Sequence, residues 1–153
     1  MRAAADINEP IIETLYCEAL VLADEVRAVF DLGRLQDGGP QDDLARMAMS
    51  AEGLRTTTRM MHILAWLLNH RAFFSGDLSE FQLRRHGVLP PDRTADADQL
   101  ALLEQPTREL VAETERMHRR IMRLDRSWRQ RFEMEPAAIL RLHDRLGRAV
   151  GHI

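Results

Sequence analysis

The sequence holds one cysteine, Cys17, and no lysine at all. A single thiol excludes an intrachain disulfide and a cysteine-rich zinc site. All 21 basic residues are arginine, a bias that a GC-rich genome explains without selection on function. Aromatic residues make up only 5%, and valine, isoleucine and threonine are scarce, which argues against a sheet. No apolar run approaches the ~18 residues that span a bilayer; the longest, Ile63 to Leu68, has six. Met1 to Asp6 lack the apolar core of a secretion signal. A soluble protein of the reducing cytoplasm, without a membrane partner, is therefore expected. A dominant charge is missing too. The balance of 21 basic to 24 acidic residues, net −3, exerts no global pull on nucleic acid or an anionic membrane.

What is present favours helix. Leucine and alanine supply 39 of the 153 residues, both strong helix formers. Apolar residues reach 45%, enough for a core in a chain of one-domain length. The 3-4 spacing of Ile12, Leu15, Ala19, Leu22, Val26 and Val29 predicts a first helix from Pro10 to Asp31. Asp37-Gly38-Gly39-Pro40 predicts a turn. A second helix follows from Asp42 to Ser75, with a seam of Leu44, Met47, Ala51, Leu54, Thr58, Met61, Ala65, Leu68 and Ala72, and Gly76 as its C-cap. Ser79 and Gln82 have capping-box spacing for a short helix from Glu80 to Arg85. Pro90-Pro91 forces an extended crossing. A further short turn of helix is expected over Asp98 to Glu104, with Leu100, Leu102 and Leu103 facing in.

The third long helix starts at Pro106 with a stripe of Leu110, Thr114, Met117, Ile121, Leu124 and Trp128. Pro136 is expected to break it from a short amphipathic segment whose Ile139, Leu142, Leu146 and Val150 share a face. The fold class is all-α. A three-helix bundle occupies 1–132, with a helical crossing segment, and a C-terminal tail occupies 133–153. The first two helices are antiparallel because their link is short.

Two surfaces stand out. Beside the expected seam of the second helix, Met60, Ile63, Leu64, Leu67 and Phe74 form another apolar stripe. A helix that is apolar on most sides is buried on most sides. Either the connecting segment covers this stripe within one chain, or two second helices cross in a homodimer. The homodimer is the expectation, with those five residues as its interface. Charge is also segregated: residues 1–50 hold four arginines and ten acids, and residues 108–153 hold eleven arginines and seven acids. Arg116, Arg119, Arg120, Arg123, Arg126 and Arg129 lie off the third seam and are expected to face water. Arg119, Arg123 and Arg126 are the candidate docking residues for an acidic partner, because guanidinium groups pair well with carboxylates.

Catalytic constellations are missing. Glu115-x-x-His118 matches one element of a di-iron bundle, but that site needs two such elements and two further glutamates. His62 and His70, eight residues apart, cannot share one metal. Cys17 has no adjacent basic activator and reads as a buried, inert thiol. No phosphate-binding glycine loop or nucleophile elbow occurs. No catalytic residue, metal or cofactor is expected.

The segment Leu15-Tyr16-Cys17-Glu18-Ala19-Leu20-Val21-Leu22-Ala23-Asp24-Glu25 resembles the first helix of the RcdA family of alphaproteobacteria, named for regulating CtrA degradation. Leu54-Arg55-Thr56-Thr57-Thr58-Arg59-Met60-Met61 and Ile63-Leu64-Ala65-Trp66-Leu67-Leu68 resemble its second helix. The likeness is strongest over 11–31 and 54–76, and no motif maps onto 92–109. It implies a dimeric three-helix bundle acting as an adaptor for the ClpXP protease, recruited through a CpdR-like response regulator. It also implies delivery of cell-cycle regulators such as a CtrA-like protein, in some cases with a PopA-like cyclic-di-GMP-binding protein, at a cell pole. The tail would contribute to delivery. The alternatives are a nucleic-acid-binding regulator using the arginine-rich third helix, although no helix-turn-helix or zinc signature is present, and a carboxylate-bridged metal enzyme.

Overall fold

The computed structural model describes residues 7–35 and 43–151, so the expected turn at 37–40 lies outside the described residues. Among the described residues there are five helices and no strand: α1 Glu9–Leu35, α2 Asp43–Phe74, α3 Glu80–His86, α4 Ala97–Leu100 and α5 Gln105–Val150. The all-α reading is correct.

Local chemistry sets the ends. Asn8 caps α1, its Oδ1 accepting from the Ile11 amide at 3.0 Å. α2 stops where Gly76 takes φ +85°, a conformation that costs glycine no Cβ clash. The Asp77 and Leu78 amides then donate back to the Ala72 carbonyl. The predicted capping box on α3 forms in both directions, Ser79 with Gln82.

α1 buries the expected stripe: Ile12, Leu15, Ala19, Leu22, Val26 and Phe30 are in the core, and Val29 packs at its edge. α1 and α2 run antiparallel, since Arg71 bonds Glu13 near one end and Phe30 meets Gly53 near the other. A Cβ on Gly53 would sit 2.9 Å from the Phe30 ring, so glycine is what lets the helices approach there. α5 runs parallel to α2: Arg59 reaches Thr114, and Trp66 reaches Asp125. A parallel neighbour requires the chain to return to its starting end, and residues 75–104 do so. They bury Leu83, Leu89 and Leu103, while Leu102 stays exposed, contrary to its expected inward position.

The second helix departs from the expected phase. Leu44, Met47, Leu54, Met61 and Leu68 of the expected seam are exposed. Met60, Ile63 and Leu67, expected at a dimer interface, are buried within the protomer, and Leu64 and Phe74 pack against the same core. The reason is position: α2 is central, with α1 on one flank and α5 and the crossing segment on another. It therefore needs two inward faces in a single chain, and these five residues help to fill them. Met60, Ile63 and Leu67 are corrected from interface to core, and Leu64 and Phe74 are part-buried at its edge.

α5 is continuous through Pro136, so the expected break is absent. Proline removes one amide donor and crowds the preceding turn, which can bend a helix without ending it. At ~1.5 Å per residue α5 is about 69 Å long, against about 48 Å for α2. Its end therefore overhangs the bundle, and every residue from 142 to 150 is exposed. The side chain of Ile139 lies outside those described.

Candidate functional surface and its buried support

The outer face of α5 is basic. Arg116, Arg119, Arg120, Arg123 and Arg126 are exposed as expected, with Arg120 3.6 Å from Glu18 of α1. Arg129 is not part of that face. Its Nε donates to Asp125 at 3.0 Å and its Nη1 to the Arg84 carbonyl at 3.0 Å, tying α5 to α3. Asp125, the one acid among the seven arginines from 116 to 131, is buried, and its other oxygen accepts from Trp66 Nε1 at 2.9 Å. The acid is thereby turned inward, and the outward ridge keeps only positive charge.

The inward face of α2 carries polar groups that the sequence analysis missed. Arg59 is fully buried. Its Nε donates to both oxygens of Asp92, at 2.8 and 2.9 Å, its Nη1 to Thr114 at 2.9 Å and its Nη2 to the Arg93 carbonyl at 3.0 Å. Two turns earlier, buried Glu52 pairs with Arg55 and accepts from the Asp96 amide at 3.1 Å. Gln99 accepts from Arg55. Glu52 Oε2 and Thr56 Oγ1 are buried without a hydrogen-bond partner among the described residues. These groups fasten residues 92–99 across α2 and α5. The signal was available in the 3-4 spacing of Glu52, Thr56, Arg59, Ile63, Trp66 and His70, a core stripe that is polar at several positions.

His70 lies at the other end of that stripe. Its ring stacks on Trp66 at 3.7 Å, meets Trp128 edge-on at 5.5 Å, and donates from Nδ1 to the Trp66 carbonyl at 3.0 Å. Burial pushes its pKa down from 6.5 to about 4, so the ring is neutral at pH 7. His118 bonds the Pro90 carbonyl at 3.0 Å; it ties the crossing segment to α5 and does not stand free as a ligand. Among the described residues no group of three His, Cys, Asp or Glu side chains is placed to hold a metal ion.

Cys17 is exposed, not buried. It is two residues from both Leu15 and Ala19, so it points about 200° away from the core stripe. It lines a groove between α1 and α5 with Glu18, Val21, Glu113, Met117 and Arg120. No described helix is long and apolar enough to cross a membrane.

One protein family, described as "Protein of unknown function (DUF1465)", has a sequence model that matches residues 3–150. No curated protein and no solved structure matches the chain.

Proposed function

The chain belongs to the DUF1465 family, and from that premise we propose that it is a non-enzymatic adaptor for regulated proteolysis. In this reading it brings cell-cycle regulators, such as a CtrA-like protein, to the ClpXP protease in the cytoplasm, at a cell pole. A CpdR-like response regulator primes the protease, and a PopA-like cyclic-di-GMP-binding protein joins for some substrates. The identity of the partners comes from the resemblance of α1 and α2 to the RcdA family. The observation that carries the reading for this chain is the α5 ridge, where Asp125 is turned inward and Arg119, Arg123 and Arg126 face out. An adaptor acts by contact alone, and a ridge of guanidinium forks suits carboxylates on an acidic partner.

Replacing Arg119, Arg123 and Arg126 together by Glu tests the reading. The fold should survive, because exposed charge pairs contribute only ~0–1 kcal/mol each. In a reconstituted reaction with ClpXP and the priming factor, the variant should slow degradation of an adaptor-dependent substrate. Degradation of a directly tagged substrate should not change. If the wild-type protein alters no degradation rate, the adaptor reading is wrong. The same ridge would serve a nucleic-acid-binding regulator, and a salt titration on random duplex DNA separates the two, since phosphate contacts give a steep log–log slope.

A further inference from the structure

α1 packs along α2 and touches α5 far less, so the α1–α5 side of the bundle is left open as a groove of about 550 Å³. Its apolar part is Val21, which is 62% exposed, with Leu22 and Met117. The charges along it are not balanced. α1 and α5 are antiparallel, because α1 opposes α2 while α5 runs beside α2 in the same direction. Glu18 stands 3.6 Å from Arg120. Seven residues bring a helix back to the same face about 10 Å further on. Seven residues on along α1 is Glu25, and seven back along α5 is Glu113, so this end of the groove sets carboxylate against carboxylate. Arg116 lies between the two ends. Among the described residues Glu25, Glu113 and Arg116 enter no ion pair.

An apolar floor with an unanswered negative end and an unanswered positive middle defines its occupant. The occupant has an apolar stripe, a basic side chain at the Glu25–Glu113 end and a carboxylate one turn away at Arg116. A helix fits such a groove, because its ridges seat between those of two neighbouring helices. An extended segment would find no sheet edge to pair with, since the described residues contain no strand. A nucleic acid or an anionic membrane would meet Glu18, Glu25 and Glu113 with like charge. We propose that this groove binds about two turns of an amphipathic helix from another protein, as a fourth helix lying between α1 and α5. The site is separate from the Arg119, Arg123 and Arg126 ridge, and the inference stands independently of the adaptor reading.

Cys17 reports on the groove, because it lines it, is exposed and is the only thiol of the chain. The probe is a cysteine-free, alanine-based helical peptide with a leucine stripe, a central lysine beside the stripe and a glutamate one turn away on either side. Its Kd for the full chain is read by fluorescence anisotropy. At about ten times that Kd it should slow alkylation of Cys17 by N-ethylmaleimide ~10-fold, because only unoccupied chains react. Replacing its lysine by glutamate should weaken binding at least ~10-fold, since three carboxylates then meet. Glu25→Arg with Glu113→Arg should reverse this preference, and helicity and melting should stay unchanged because both positions are exposed. No protection of Cys17 at millimolar lysine peptide, equal protection by the two peptides, or a double variant that still prefers lysine overturns the proposal. Alkylation of the protein alone that slows as its own concentration rises would seat a second copy in the groove and overturn it as well.

Discussion

Arg59 and Asp92 meet inside the bundle, the guanidinium holding both oxygens of a carboxylate 33 residues further along the chain. The pair is where the crossing segment is fixed. Arg59 reaches past Asp92 to Thr114 of α5 and to the Arg93 carbonyl, so one side chain joins α2, the extended chain and α5.

Breaking this pair from one side should therefore cost more than losing a surface contact. Asp92→Ala leaves a buried guanidinium without its counter-ion, a defect worth about 3–5 kcal/mol. Arg59→Leu with Asp92→Leu removes both charges and should recover much of that loss, because a paired burial gains little over apolar packing. Urea unfolding of the two variants and the wild type tests this. Equal stability of Asp92→Ala and wild type would show that the crossing segment is held by other contacts.

His70 makes stability depend on pH in a defined direction. Its folded pKa, about 4, lies below the unfolded value of 6.5. Above pH 6.5 the ring is neutral in both states and nothing is lost. As pH falls the unfolded chain takes up the proton first, so stability declines, by about 2 kcal/mol between pH 7 and pH 5. Further loss continues down to the folded pKa. The melting temperature of the wild type should fall over that window, and His70→Leu should flatten the slope even if it lowers stability throughout. A variant that follows the wild-type slope would assign the pH dependence to other groups.

How much of this was legible depended on how cleanly each helix separates its faces. α1 has one apolar stripe, and its core positions could be read directly from the 3-4 spacing. The α3 capping box was equally plain, because its chemistry is local. α2 misled because leucine, methionine and alanine occur around nearly its whole circumference, and two phases fit. The wrong phase looked better because its positions were apolar except for Thr58, whereas the true inward stripe contains Glu52, Thr56, Arg59 and His70. Glu52 and Arg59 are buried where the Asp96 amide and Asp92 come to meet them, and spacing along one helix does not report such partners. The outward positions of Arg119, Arg123 and Arg126 were readable because they follow from the α5 seam. The inward turn of Arg129 was not, since it depends on the Arg84 carbonyl of a separate helix.

The last prediction concerns the overhang of α5. Leu142, Leu146 and Val150 recur every four residues on one face, yet each is more than half exposed. The overhang draws little stability from the bundle, and an isolated helix of that length is marginal in water. Ending the chain after Phe132 should therefore leave the bundle intact and lower the melting temperature by no more than ~3 °C, a shift that corresponds to less than about 1 kcal/mol. The far-ultraviolet helical signal should fall only by the residues removed. Differential scanning calorimetry with circular dichroism on the two chain lengths makes the comparison. A fall of ten degrees or more would mean that this apolar face is packed in solution, and the overhang would then belong to the core.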